Sequence, residues 1–136
     1  MQIELQDFDK DFFEKLSGKE EVLISPKGVY HTIFCDGEKA GIVGYIPVGT
    51  SGEAGFPQTV IAEEFRGRGL GGLAKELLVK KHNLKTLFAT IRKGNIASLR
   101  ANEKNGFKIL SEEKMTDLRA KGFLKDTDIR MEKHYV

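Results

Sequence analysis

The chain has 136 residues, 40% of them hydrophobic and 31% charged, a length and balance that fit one domain, spanning 1–136, and exclude a disordered or fibrous chain. No apolar run approaches the roughly 20 residues of a membrane-spanning helix, the opening MQIELQDFDK lacks the basic start and apolar stretch of a signal peptide, and the lone Cys35 excludes an internal disulfide framework, so a soluble protein of the cytoplasm, with no membrane partner, is expected. The net charge of +2 is unevenly spread, because Arg66 to Lys108 carries eleven Lys and Arg against Glu76 and Glu103, a local +9, and the remainder is −7. Such a stretch fits either a solvated basic helix face or a site for a polyanion, and the acidic remainder fits a cationic ligand.

In chain order, Ile3 and Leu5 alternate with polar residues as in a short strand. Asp9 can cap a helix carrying Phe12, Phe13 and Leu16, closed by Gly18. Val22 to Ile24 is short and apolar and ends at Pro26. Val29 to Cys35 and Ala40 to Val48 read as strands, and the Asp36-Gly37 pair between them signals a hairpin. Gly49 to Pro57 is glycine-rich and reads as a loop, and Thr59 to Ala62 as a strand. Leu70, Leu73, Ala74, Leu77 and Leu78 then form one helical stripe, with Lys75, Glu76, Lys80 and Lys81 outside it and His82-Asn83 at its end. Thr86 to Ile91 reads as a strand. Asn95 caps a short helix that Gly106 stops, and Phe107 opens the next strand. Met115 to Lys121 reads as a helical turn, and a last strand alternates around Ile129, Met131 and Tyr135. The order predicts a mixed α/β fold: one largely antiparallel twisted sheet, one parallel strand pair from the strand–helix–strand unit, and helices on both faces.

Arg66-Gly67-Arg68-Gly69-Leu70-Gly71-Gly72 lies between a predicted strand and a predicted helix. The first N–H groups of a helix lack intrahelical partners and sit at the positive end of its dipole, and glycines let an anion approach them. A P-loop would need Gly-Lys-Ser/Thr, which is absent. Gly67, Gly69 and Gly72 match G-x-G-x-x-G, but the following strand ends in Thr90, Ile91, Arg92 and Lys93 with no ribose-binding acid. Arg92 could meet a 2′-phosphate, which keeps an NADP-binding protein open as an alternative, against the upstream hairpins.

Arg66-x-x-Gly69-x-Gly71 resembles the Q/R-x-x-G-x-G/A signature of the GNAT superfamily of N-acetyltransferases. Asn95-x-x-Ser98, running on to Lys104-x-Gly106-Phe107, resembles the strand-to-helix segment that follows in that family. The close resemblance covers roughly Thr59 to Leu110, with Glu63 where many members have proline.

The resemblance implies transfer of an acetyl group from acetyl-coenzyme A to a primary amine by direct attack. It implies that the amides of Arg66, Gly67, Arg68, Gly69, Leu70, Gly71 and Gly72 hold the pyrophosphate. The backbone of Ile61 and Ala62, on a strand that usually bulges in the family, would meet the pantetheine arm and offer an N–H to the thioester oxygen. Asn95 would contact the cofactor arm as well as cap its helix, and Lys104 would lie near the phosphates or in solvent. Glu53 is the carried-over candidate base, with Glu63 and Glu64 as alternatives. The family's thiolate-protonating tyrosine falls at Asn102, whose amide can hydrogen-bond a thiolate but not protonate it. That departure raises a second alternative, a non-catalytic acyl-coenzyme A binding module. Tyr30, Tyr45 and Tyr135 read as core or strand-surface residues. His31, His82 and His134 have no ligand spacing, so no metal is expected. The expected partner is a small-molecule or peptide amine carrying positive charge. No nucleic-acid motif is present, and the chain is expected to be a monomer or a homodimer.

Overall fold

The computed structural model describes residues 1–135 and divides into two compact units, 1–84 and 85–136. The first unit is built on β1 (Ile3–Asp7), β2 (Val29–Cys35), β3 (Glu38–Pro47) and β4 (Ala54–Ile61), each antiparallel to the next. The hairpin sits where expected: Asp36 and Gly37 both have positive φ (50° and 83°), the conformation a tight two-residue turn needs. Register follows the apolar pattern. Leu5, Ile33, Gly41 and Ile61 form one row across the four strands, and Asp7, His31, Val43 and Thr59 form the next.

Helix α2 (Leu70–His82) packs against β1, β3 and β4. Leu70, Ala74, Leu78 and Val79 are its buried residues, whereas Leu73, predicted on the buried stripe, is 46% exposed. The helix is rotated so that Val79 takes a place in the core. Helix α1 (Lys10–Glu14) begins at Asp9, whose carboxylate accepts from Phe12 N–H at 3.0 Å, as the cap reading required. The Asp9 N–H donates to Thr32 Oγ1 at 2.8 Å, which satisfies the buried Thr32 hydroxyl. Val22 to Ile24 forms no strand and follows a 3-10 turn at Lys19–Glu21.

The glycine-rich stretch is only partly a loop, because β4 already begins at Ala54. Pro57 is tolerated inside it for a geometric reason. The bonds from Val48 N–H to Ala54 O and from Ala62 N–H to Ala40 O fix which positions exchange hydrogen bonds with β3. Pro57, opposite Tyr45, falls on the alternate set, so its missing N–H costs no bond to β3.

The second unit carries β5 (Thr86–Arg92), α3 (Ile96–Lys104), β6 (Lys108–Ile109), α4 (Glu112–Ala120) and β7 (Asp128–His134). Strand β7 pairs antiparallel with both β5 and β6. Helix α4 has nine residues, longer than the single turn expected from 115 to 121. Ser111 caps it by accepting from Lys114 N–H at 3.2 Å, and Glu112 and Glu113 favour its positive end. Its Met115 packs with Leu110 and Leu124 in a small apolar cluster edged by Leu118 and Ile129. Among the described residues, no helix is long and apolar enough to cross a membrane.

At the C-terminal end of α2, His82 Nε2 lies 2.8 Å from His31 Nε2 of β2, with the Tyr45 ring edge-on to His82. Such a bond requires one Nε2 to carry its hydrogen and the other to lack one, so at least one ring is neutral. Burial, the partner ring and Lys81 hold His31 below the ordinary imidazole value, against a hydrogen bond with the Gln6 backbone and the charge of Asp7, and burial and Lys81 do the same to His82. Both folded values are depressed, so the unfolded chain takes up protons first as pH falls below about 6.5. Stability is therefore complete above that pH and is lost as pH falls through the folded values. Thermal melts from pH 7.5 to 5 should show this decline, and a His82→Gln variant should flatten it. An equally steep decline in the variant would show that other groups carry it.

Candidate coenzyme A site

The last residue of β4 is Ile61, and a 3-10 turn at Glu63–Phe65 leads out of it with Phe65 buried as an anchor. The chain then turns sharply. Gly67 (φ 80°) and Gly69 (φ 76°) both occupy the left-handed region that favours glycine, and Gly69 is the N-cap of α2. Leu70 is buried and ties the first helical turn to the core. The first intrahelical bond runs from Leu73 N–H to Gly69 O at 3.3 Å. No side chain caps the helix, since Gly69 has none to offer. From Gly67 to Gly72, six consecutive N–H groups therefore find no protein acceptor among the described residues.

These amides border open space. A Cβ built on Gly67, Gly69 or Gly72 would meet nothing within 4 Å. The first turn of α2 carries no acid and its last turn carries Lys80, Lys81 and His82, so the helix dipole is unopposed at the glycine end. Open space, unpartnered donors and positive potential together make a cradle for a phosphate-sized anion.

The arginines of the turn serve differently from its glycines. Arg66 Nε donates to Ile61 O at 2.9 Å and its Nη2 to Ser17 O at 2.8 Å, which ties the end of β4 to the segment after α1. Its own N–H reaches Glu63 O at 3.3 Å, so among the predicted seven amides this one already has a partner. Arg68 lies over the Phe65 ring, 5.3 Å from its centroid, and donates to Glu64 O. Both guanidinium groups add positive potential but are held by their own backbone.

The two backbone positions expected to meet the cofactor arm, Ile61 at the end of β4 and Ala62 just beyond it, face opposite ways. The Ala62 N–H donates to Ala40 O at 2.7 Å and is committed to β3. The peptide groups of Thr59 and Ile61, on the alternate set, face away from β3. The β3–β4 register runs unbroken from Gly41↔Ile61 to Pro47↔Gly55, so the expected bulge is absent from this ladder. The register shift falls instead between Ile33 and Phe34 in the β2–β3 ladder.

In the second unit, Asn95 caps α3, its Oδ1 accepting from Ser98 N–H at 3.1 Å. With Thr90, Ile91, Arg92, Gly94 and Ser98 it lines an open cavity of about 510 Å³. Capping uses only the side-chain oxygen, which leaves the Asn95 amide nitrogen able to donate to a ligand. An Asn95→Asp variant keeps the cap and removes that donor, whereas Asn95→Ala removes both. The expected result is a stability loss of about 1 kcal/mol for the alanine variant alone, with coenzyme affinity weakened in both. Unchanged affinity in the aspartate variant would reduce Asn95 to a cap.

Asn102 donates its side-chain amide to Ser98 O one turn back at 2.9 Å, and its carbonyl accepts from Phe107 N–H at 2.9 Å beyond Gly106. Its side chain is thus bonded within its own helix. Lys104 is exposed at the end of α3. Glu53 is exposed in the bend before β4, its N–H bonded to Ser51 Oγ. The eight extended residues of β4 separate it from the glycine turn by roughly 25 Å along the strand. Glu63 and Glu64 stand exposed beside the turn. Among the described residues, no group of three or more His, Cys, Asp or Glu side chains could hold a metal.

The His31–His82 contact and the side-chain clasps from Tyr30 and Gln58 to the loop before β2 were not anticipated. The Gln58–Leu23 and His31–His82 contacts join residues 35 and 51 apart in sequence, whereas Tyr30 reaches back only seven residues to Leu23.

No curated protein sequence matches the chain. Solved structures do. The Campylobacter jejuni N-acetyltransferase PseH in complex with acetyl coenzyme A aligns over 99% of this chain and 100% of its own, with a TM-score of 0.66 at 14% identity. A Bacillus subtilis acetyltransferase in complex with CoA aligns over 99% of both chains at 0.63 and 18%. A spermidine N-acetyltransferase chimera from Vibrio cholerae SpeG and hSSAT aligns over 98% of this chain and 96% of its own at 0.66 and 14%. At these identities the likeness shows the fold, the mixed and largely antiparallel one with a single parallel strand pair that the element order predicted. The model of the acetyltransferase (GNAT) family matches residues 2–107, and the chain belongs to that family.

Proposed function

We propose that this chain transfers the acetyl group of acetyl-coenzyme A to a primary amine that is cationic in solution. Membership of the GNAT family supports acetyl-coenzyme A as the co-substrate. The observation that carries the reading is the run of six unpartnered N–H groups from Gly67 to Gly72 beside open space. A pyrophosphate supplies the acceptors that these donors lack.

The arm of the co-substrate then runs along β4, where the Ile61 N–H faces away from β3 and is the better placed of the two predicted amides. As the amine attacks, the N–C bond forms, negative charge grows on the thioester oxygen, and an N–H at this strand stabilises it. The C–S bond then breaks, the thiolate departs, and the nitrogen gives its surplus proton to the thiolate or to water. An ordinary thiol pKa of about 8.5 makes it an acceptable leaving group without an acid at Asn102. The amine must lose a proton before attack. Glu53, Glu63 and Glu64 remain the candidate bases, acting directly or through water. The −7 charge outside the basic stretch supports a cationic acceptor.

The test is calorimetric titration with acetyl-coenzyme A and NADPH, followed by thiol release with a panel of amines. Tight acetyl-coenzyme A binding with amine-dependent thiol release is expected. Preference for NADPH would overturn the cofactor assignment. Binding without turnover on any amine would leave a coenzyme-binding module instead.

A further inference from the structure

The segment after the 3-10 turn Lys19–Glu21 has no regular structure, yet side chains from two strands hold its backbone. Leu23 N–H donates to Gln58 Oε1 of β4 at 2.8 Å. The Tyr30 hydroxyl of β2 donates to Leu23 O at 2.7 Å and accepts from Ser25 N–H at 2.7 Å. Gly28 N–H closes the turn onto Ser25 O at 2.9 Å. Two glycines give the tyrosine its place. A Cβ on Gly44 would lie 2.7 Å from Tyr30 Cδ1, and one on Gly28 would lie 2.1 Å from the Tyr30 hydroxyl oxygen.

What this framework holds outward is apolar. Val22 is buried as an anchor, but Leu23 is 65% and Ile24 48% exposed. Isolated exposed aliphatics are ordinary. Here two are adjacent, and the Leu23 backbone is fixed at both its N–H and its C=O, which holds the pair at the surface. Immediately before them stand two exposed carboxylates, Glu20 and Glu21. The segment thus presents negative charge next to an apolar edge. It is fastened to Gln58, three residues or roughly 10 Å along β4 from Ile61.

Resting on the acetyltransferase reading above, we propose that Glu20 to Ile24 receives the acyl acceptor, and that this acceptor is a primary amine carried on an apolar body. Its ammonium lies toward Glu20 and Glu21, and its aliphatic or aromatic part lies on Leu23 and Ile24. The ammonium gives one proton to a base or solvent, the free amine forms the N–C bond as the C–S bond breaks, and the nitrogen's surplus proton passes to the departing thiolate or to solvent. A polyamine is charged along its length, and an amino sugar is hydroxylated all round. Either would set polar groups against Leu23 and Ile24.

Steady-state kinetics of the full chain tests this with 3-phenylpropylamine, leucinamide, spermidine and glucosamine as acceptors. The expected result is that kcat/KM for the first two exceeds that for the last two at least about tenfold. A Leu23→Ser/Ile24→Ser variant should raise KM for the apolar amines by about the same factor. Its acetyl-coenzyme A affinity by calorimetry and its melting temperature should not move, since both side chains face solvent. A wild-type preference for spermidine or glucosamine would overturn the proposal, as would an unchanged KM in the variant. Either result would leave the acetyltransferase reading intact, whereas a wild type that acetylates no amine would end both.

Discussion

A Gly69→Asp variant should fold and lose coenzyme A affinity on the order of a hundredfold, from roughly 3 kcal/mol of charge repulsion at the cradle. Gly69 is the N-cap of α2 at φ 76°, and a Cβ there would meet no atom within 4 Å. The folded chain therefore bears only the strain of a left-handed residue, about 1 kcal/mol, to which aspartate is among the more tolerant. An aspartate at an N-cap can also accept from the first helical amides. The carboxylate would then satisfy the donors that the ligand needs and oppose its charge. Gly69→Asn separates these effects, because it has the same shape without the charge. Calorimetry on the two variants should show the aspartate losing at least about tenfold more than the asparagine. Equal affinities for wild type and Gly69→Asp, in a variant with native circular dichroism, would remove the pyrophosphate from this turn.

The second large effect is on stability. Gly41 sits between Ile33 and Ile61 in the row that crosses the first unit's sheet. A Cβ there would lie 2.4 Å from Val60 O and 3.0 Å from Ile61 Cα. Both are backbone atoms of β4 and cannot rotate aside. Gly41→Ala must push the end of β4 away from β3, at a cost of about 3 kcal/mol or more. For a chain of this size that lowers the melting temperature by roughly 10 °C. The displaced residue is Ile61, so acetyl-coenzyme A affinity should fall as well. A melting temperature within a degree or two of wild type would show that β4 yields easily at this point.

Local signals in the sequence translated directly into structure. Asp9 and Asn95 sit as the N-caps their positions signal, because a short polar side chain before a helical run has few better uses. Asp36-Gly37 made its hairpin because few other pairs adopt two positive φ values so readily. The glycine turn was legible for the same reason: its function depends on backbone groups, and glycines mark where backbone is exposed.

Side-chain chemistry was less legible. The arginines that flank the glycines look like phosphate ligands in sequence, but Arg66 and Arg68 bond backbone carbonyls of their own unit. The choice between Ile61 and Ala62 depends on which of two alternating positions bonds β3, a parity that no composition reveals. The glycine-rich composition of Gly49 to Pro57 signals a loop, yet β4 begins at Ala54, and only the register shows Pro57 at a position needing no bond to β3. The partners of Gln58 and of His31 lie 35 and 51 residues away in the chain, and only the fold brings them together.

The most direct measurement is a ¹H–¹⁵N correlation spectrum of the labelled chain titrated with coenzyme A. The amide resonances of Gly67, Arg68, Gly69, Leu70, Gly71 and Gly72 should move downfield together as their N–H groups acquire phosphate acceptors, saturating at the calorimetric stoichiometry. The Ala62 amide, already bonded to Ala40 O, should move much less. Saturable binding that leaves those six resonances in place would contradict the assignment of the pyrophosphate to this turn.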